Sequence, residues 1–331
     1  MPTSPDQDDF LPTAPWETLR LRAELLGRVR EFFQRHGFLE VETPILCADT
    51  VIDRHIEPLS VRVGEGSAAR QLWLQTSPEF AMKRLLAAGA TAIYQVARVF
   101  RQGELGPLHN PEFTMVEWYR AGDGLAEGME LLSQLGDWLL HRGPAQRLAY
   151  AEAFCRSVGL DPHRAATEAL IAAAADLGIR APASLSPADR DGWLDLLLVE
   201  RVQPELGHAQ PVILYDYPAS QAALARVRHG DSPDGPPVAE RFELYVAGVE
   251  LANGYHELVD PVVLRRRNAE NNALRQADGK AALPEPSRLL AAMEAGLPPC
   301  TGVALGFDRV VMLAAGASRL EDVIAFPFDR A

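Results

Sequence analysis

The chain has 331 residues, 47% of them hydrophobic, and a formal net charge of -13, so it can bury the core of one large domain. That acidic balance works against an extended surface for polyanions, because nucleic-acid affinity comes chiefly from Lys and Arg on phosphates. No apolar run is long enough to cross a bilayer, Met1–Pro15 lacks the basic start and apolar centre of a signal peptide, and Cys47, Cys155 and Cys300 form no CxxC pair or even disulfide set, so a cytoplasmic protein is expected.

Residues 1–15 read as a flexible tail and 16–331 as one domain. Leu25, Leu26, Val29, Phe32 and Phe33 recur at helical spacing and Gly37 supplies a stop, which predicts a first helix. Phe38–Glu42 alternates as a strand and Thr43-Pro44 ends it. Gln71–Gln75 is a short strand, after which Thr76-Ser77-Pro78-Glu79 opens a helix with Ser77 as N-cap and Pro78 at the first helical position. Ile93–Phe100 and Glu112–Tyr119 are two strands around a loop marked by Gly103, Gly106 and Pro107. A period of two puts Phe113, Met115, Glu117 and Tyr119 on one face of the return strand, which makes it a binding face.

An Ala- and Leu-rich insertion follows at about 123–210, with packing helices near Leu125–Leu140, Thr167–Leu177 and Pro187–Val202, and Pro211–Tyr217 returns to the sheet. Glu240–Glu257 reads as a hairpin turning at Ala247-Gly248. Unbroken pairing around that turn sets Glu243 opposite Ala252 and makes Glu250 its diagonal neighbour; like charges so close call for a cation between them. Arg265-Arg266-Arg267 is a solvated helix face. Gly302–Gly306 is a small-residue strand running into Phe307-Asp308-Arg309 and an apolar helix, where a cation at the positive dipole end is kept for a ligand such as phosphate.

Arg101 followed by an acidic residue and then His-Asn-Pro-Glu-Phe resembles motif 2 of the class II aminoacyl-tRNA synthetases, and HNPEFTMVEWY has the spelling of the lysyl branch. The first helix and strand resemble motif 1, Gly302–Arg309 resembles motif 3, and TSPE and ELANGYHE resemble substrate segments of lysyl enzymes. The resemblance implies an α+β class II catalytic core, an antiparallel sheet flanked by helices, that pairs as a homodimer through motif 1. It also implies formation of an acyl adenylate from ATP, with Mg2+.

By the same resemblance, Arg101 and Arg309 are the catalytic residues. ATP is implied to contact Arg101, Gln102, Gly103, Glu104, His109, Asn110, Phe113, Glu250, Leu251, Gly306 and Arg309, with Phe113 and Arg309 sandwiching the adenine. Glu243 and Glu250 are implied to hold Mg2+. A lysine-like substrate is implied to meet Ser77, Pro78, Glu79, Glu117, Tyr119, Asn253, Glu257 and Ala304, with Glu79 and Glu257 as carboxylate partners for ammonium groups. The sequence departs from the family pattern at Gly103, where Glu is common, and at Leu108, where lysyl enzymes carry Arg.

Only a short tail precedes the first helix, with no room for an anticodon-reading domain. The chain therefore resembles the truncated lysyl-synthetase paralogues that join (R)-β-lysine to a lysine side chain of elongation factor P. That protein is the expected acceptor and tRNA is not; a compact lysyl-type synthetase and a non-catalytic regulatory paralogue are the alternatives.

Overall fold

The computed structural model describes residues 10–229, 235–285 and 287–331. Leu25, Val29, Phe32 and Phe33 are buried along one stripe of α1 (Trp16–Arg35), the first helix expected. Four short strands follow: β1 (Leu39–Glu40), β2 (Leu46–Cys47), β3 (Ser60–Val63) and β4 (Arg70–Leu74). Next come α2 (Glu79–Ala87), the hairpin β5 (Ala92–Phe100) and β6 (Glu112–Ala121), and α3 (Leu125–Leu140). The insertion supplies β7 (Gln146–Ala149), α4 (Tyr150–Val158), α5 (Thr167–Asp176), α6 (Arg190–Leu197) and β8 (Val212–Pro218). The chain ends with β9 (Val227–Arg228), β10 (Val238–Val246), β11 (Val249–His256), α7 (Pro261–Ala277), α8 (Arg288–Gly296), β12 (Cys300–Gly306) and α9 (Phe307–Ala314).

The central sheet runs β1-β5-β6-β12-β11-β10-β8-β7, with β9 on β10; β2, β4 and β3 form a second, small sheet. Only β1/β5 and β7/β8 are parallel among these pairs, so the expected α+β core with a largely antiparallel sheet is observed. Alternation divides the two faces of the sheet. Val116, Trp118, Leu244, Val303 and Leu305 meet α1, α3 and α9 in the main core, where Phe33 stacks on Tyr94 at 4.4 Å. The opposite face of β6, β12 and β11 is left for the site. No helix among the described residues is long and apolar enough to cross a membrane.

Several local expectations are corrected. Residues 1–9 of the expected tail lie outside the described residues, while Thr13 donates its N–H to the Ala325 carbonyl (2.9 Å) and its hydroxyl to Glu321 O (2.8 Å), which pins the part that is described. The first strand is only two residues long. Pro78 takes the N-cap of α2, one residue later than expected, yet the Ser77 hydroxyl still accepts from the Glu79 N–H at 3.0 Å. α3 packs in the main core rather than with the insertion, whose α4, α5 and α6 surround a separate cluster against β7 and β8. α4 is a helix the sequence pattern does not predict.

The correction that matters most lies in the β10/β11 hairpin. Ala247 (φ 51°) and Gly248 (φ 77°) make the left-handed turn, and Val246↔Val249 and Tyr245↔Glu250 pair as expected. A bulge at Leu251 then shifts the ladder, so Leu244 faces Ala252 and Glu243 faces Asn253, not Ala252. Leu251 and Ala252 both join the main core, and Glu250 comes to share the site face with Asn253, Tyr255 and Glu257.

Candidate active site

A cavity of about 320 Å³ opens on the site face of β6, β12 and β11. Its wall gathers Arg101, Glu104, His109, Asn110, Phe113, Glu250, Leu251, Gly306 and Arg309 of the expected nucleotide residues, and Ser77, Glu79, Glu117, Tyr119, Asn253, Glu257 and Ala304 of the expected substrate residues. Gln102, Gly103, Pro78 and Glu243 are not in that wall. Gln102 and Gly103 sit at the exposed tip of the turn after β5, where Gly103 (φ 82°) supplies a left-handed residue and the Gln102 N–H donates to Glu57 O at 2.8 Å.

One half of the cavity holds two arginines, each with a carboxylate nearby: Glu104 at 3.5 Å from Arg101 and Glu250 at 3.8 Å from Arg309. In the first turn of α9, Arg309 donates to Glu250 O (2.8 Å) and Leu108 O (3.3 Å), and its Nη2 lies 2.9 Å from His109 Nε2. Burial and then the Arg309 charge lower the His109 pKa, so the ring is neutral and Nε2 accepts. Arg101 stands 5.2 Å over the Phe113 ring and 3.5 Å from Glu104. Asn110 spends both ends of its amide on backbone, donating to Glu112 O (2.6 Å) and accepting from the Phe328 N–H (3.0 Å). Gly306 has ordinary φ, and a Cβ there meets nothing closer than 3.7 Å, so neither strain nor packing demands glycine.

The other half is anionic and dry. Glu79, Glu117 and Glu257 are all buried. Glu117 accepts from the Ser77 hydroxyl (2.6 Å) and the Tyr119 hydroxyl (2.5 Å). Lys83, one helical turn after Glu79, reaches both Glu79 and Glu257 at 2.5 Å. Gly302 is required here: a Cβ on it falls 2.2 Å from the Tyr119 ring and 2.3 Å from a Glu257 oxygen. Asn253 Nδ2 donates to the Tyr255 hydroxyl at 3.1 Å, while the buried Asn253 Oδ1 has no hydrogen-bond partner among the described residues.

Burial, and then the Glu79 charge, raise the Glu117 pKa to about 7. Burial also raises Glu257 despite Lys83, and Glu250 is raised by burial and by Glu243. These carboxyls hold protons more tightly folded than unfolded. Their contribution to stability is therefore complete below pH 4.5 and is lost as pH rises through about 7 for Glu117 and Glu250 and about 8 for Glu257. The melting temperature of the ligand-free protein should fall by at least about 3 °C from pH 5 to pH 8, and Glu117→Gln should flatten the slope. An equally steep decline in that variant would remove Glu117 as its source.

Glu243, expected as a metal ligand, is buried on β10 between β11 and β8, opposite Asn253. It accepts from the hydroxyls of Tyr217 and Tyr245, and from Arg241 Nη2 at 2.5 Å. Burial, then Glu243 itself, keep both phenols protonated, so they remain donors. Among the described residues, no three His, Cys, Asp or Glu side chains converge as a metal cluster. Glu250 alone of the pair stands in the cavity wall.

Three features of the site were missed from sequence. Lys83 carried a signal, four residues after Glu79, and Tyr255 lies at a period of two between Asn253 and Glu257. The loop bearing Val51, Ile52 and Asp53, which closes the cavity wall, has no periodicity to read.

Residues 13–330 match the family described as tRNA synthetases class II (D, K and N). The chain belongs to that family. Among its class II relatives are the elongation factor P (R)-beta-lysine ligases of Vibrio vulnificus, 45% identical over 324 residues (97% of this chain, 99% of that protein), and of Vibrio cholerae serotype O1, 46% over 328 residues (98% and 99%). The ligase of the same name from Klebsiella pneumoniae (strain 342) is 46% identical over 322 residues (97% and 98%). The class II membership agrees with the α+β sheet observed.

Proposed function

We propose that this chain is an ATP-dependent, AMP-forming ligase that activates (R)-β-lysine and transfers it to a lysine side chain of elongation factor P. The carrying observation is a cavity that joins an arginine pair, Arg101 and Arg309, to a dry pocket of three carboxylates, Glu79, Glu117 and Glu257. The first half suits a polyphosphate and the second the two ammonium groups of a lysine-type amino acid. Near-full-length relatives bearing the ligase name support the same reading.

In the reaction, a substrate carboxylate oxygen bonds to the α-phosphorus of ATP and pyrophosphate leaves. The acceptor amine then attacks the acyl carbon, AMP departs and an amide forms. Arg101 and Arg309 neutralise charge on the phosphates, Phe113 offers a ring face to the adenine, and Glu79 and Glu257 hold the amines. Glu250, a carboxylate in the wall, would hold Mg2+ brought with ATP, which when bound would neutralise phosphate charge, whereas Glu243 accepts from Tyr217, Tyr245 and Arg241. Mass spectrometry tests the whole reading. With ATP, Mg2+ and (R)-β-lysine, elongation factor P should gain one β-lysyl group; transfer to tRNA at a comparable rate, or no transfer, overturns it.

Ala304 is assigned to substrate selection. It pairs with Glu117 on one side and Asn253 on the other, between the two halves of the cavity. Moving the amino group from the α to the β carbon alters the shape needed there, so the methyl disfavours α-lysine. Ala304→Gly should improve activation of α-lysine relative to β-lysine by at least about tenfold, the scale of one methylene. An unchanged ratio returns Ala304 to a packing role.

The chain is also proposed to pair with a second copy through α1 and β1. β1 is an edge of the central sheet, Leu39 on it is 64% exposed and Trp16 on α1 is 68% exposed. Light scattering should give twice the chain mass for the wild type and one chain mass for Leu39→Arg; a wild-type monomer refutes the pairing.

A further inference from the structure

Lys83 carries no role in the reaction described above, yet it is fully sequestered beneath the amine pocket. It is one of only two lysines in a chain with 32 Lys and Arg residues. Its side chain is 2% exposed, and its Nζ lies 2.5 Å from both Glu79 and Glu257. The titratable groups facing this cluster are Glu117 and Tyr119 from β6, Tyr255 from β11 and Cys300 from β12. Three buried carboxylates against one ammonium leave two negative charges. A lysine-type substrate brings two ammonium groups, so the resident ammonium trims the pocket to the charge of its ligand. A compact, multi-donor ammonium suits the gap between two carboxylates, where a planar guanidinium needs more room.

We propose that Lys83 is a positioning and specificity residue: it locks Glu79 and Glu257 in place and sets the pocket charge to match a substrate with two ammonium groups. This rests on the activity proposed above. Burial opposes the Lys83 ammonium, but Glu257 and Glu79 more than offset it, so it stays charged throughout the working range. The neighbouring carboxyls hold protons in the empty pocket, and substrate must displace them. Removing Lys83 deepens that proton hold.

The test is pyrophosphate exchange with (R)-β-lysine across pH 6 to 9 in the full chain. In Lys83→Met, KM for the amino acid should rise at least about tenfold at pH 7 while KM for ATP stays within about twofold, since only the amine pocket has changed. The pH midpoint of kcat/KM for the amino acid should move up by about one unit or more, the usual reach of one lost opposite charge. The double variant Glu79→Gln with Lys83→Met restores two negative charges, on Glu117 and Glu257, although Glu257 loses the Lys83 ammonium. Its KM for the amino acid stays raised, because Glu79 itself is placed on a substrate amine, but its midpoint should return to within about half a unit of wild type, and that midpoint decides the matter if the single variant does not fold. A wild-type midpoint in Lys83→Met, or a double variant displaced upward, overturns the charge-setting role. Absence of exchange in the wild type with any lysine isomer instead overturns the underlying activity, and the role falls with it.

Discussion

Replacing Arg309 with alanine should lower ATP–pyrophosphate exchange by at least about a hundredfold, roughly 3 kcal/mol of transition-state stabilisation, the scale of losing one preorganised donor. The guanidinium is held before any ligand arrives. Two backbone carbonyls, Glu250 O and Leu108 O, and the neutral His109 ring fix its plane, so little reorganisation remains when charge develops on the phosphate. Its place in the first turn of α9 is electrostatically unfavourable on its own. The helix start is anchored independently, because Asp308 pairs with Arg22 at 2.6 Å and accepts from the Thr114 N–H at 2.9 Å. Arg309→Ala should therefore retain its fold by circular dichroism while losing exchange. Exchange within tenfold of wild type would refute the assignment of Arg309 to the phosphates.

Much of this architecture is legible in local pattern. Period-two alternation in Glu112–Tyr119 places Phe113, Glu117 and Tyr119 toward one cavity, and the structure keeps all three in its wall. Ala247-Gly248 marks its turn because both residues must adopt positive φ. What alternation cannot reveal is an inserted residue. The bulge at Leu251 leaves no mark in apolar spacing, since Leu251 and Ala252 read simply as two core residues; yet it brings Glu250 onto the face of Asn253, Tyr255 and Glu257.

The two glutamates of that hairpin show a second limit. Proximity of Glu243 and Glu250 was legible, and each does feel the other: Glu243 helps raise Glu250. Whether a carboxylate is open to a cation depends on partners distant in sequence, here Tyr217 on β8 as well as Tyr245 and Arg241 nearby. The same holds in the amine pocket. Glu79 and Lys83 are helical neighbours, but the carboxylate that completes the bridge, Glu257, lies 174 positions later, and only the sheet brings it there.

Glu257→Gln should raise the amino-acid requirement by about two orders of magnitude or more and leave ATP binding unchanged, because a desolvated ammonium without its carboxylate loses roughly 3 to 5 kcal/mol. The carboxylate is 2% exposed and its backbone N–H donates to Cys300 O at 2.9 Å, so β12 sets its position beside Gly302. One oxygen meets Lys83, and the amide of glutamine can still present an oxygen there while Glu79 keeps the ammonium paired. The substitution thus removes one charge from the ligand side without stranding Lys83, and the fold should survive it. ATP sits at the far end of the cavity, on Arg101 and Arg309 in the proposed reading, and should not register the loss. Calorimetric titration of each ligand separates the outcomes: selective loss of amino-acid binding supports Glu257 as the partner of a substrate ammonium, whereas equal losses for both ligands reduce it to a structural carboxylate that holds the sheet and α2 together.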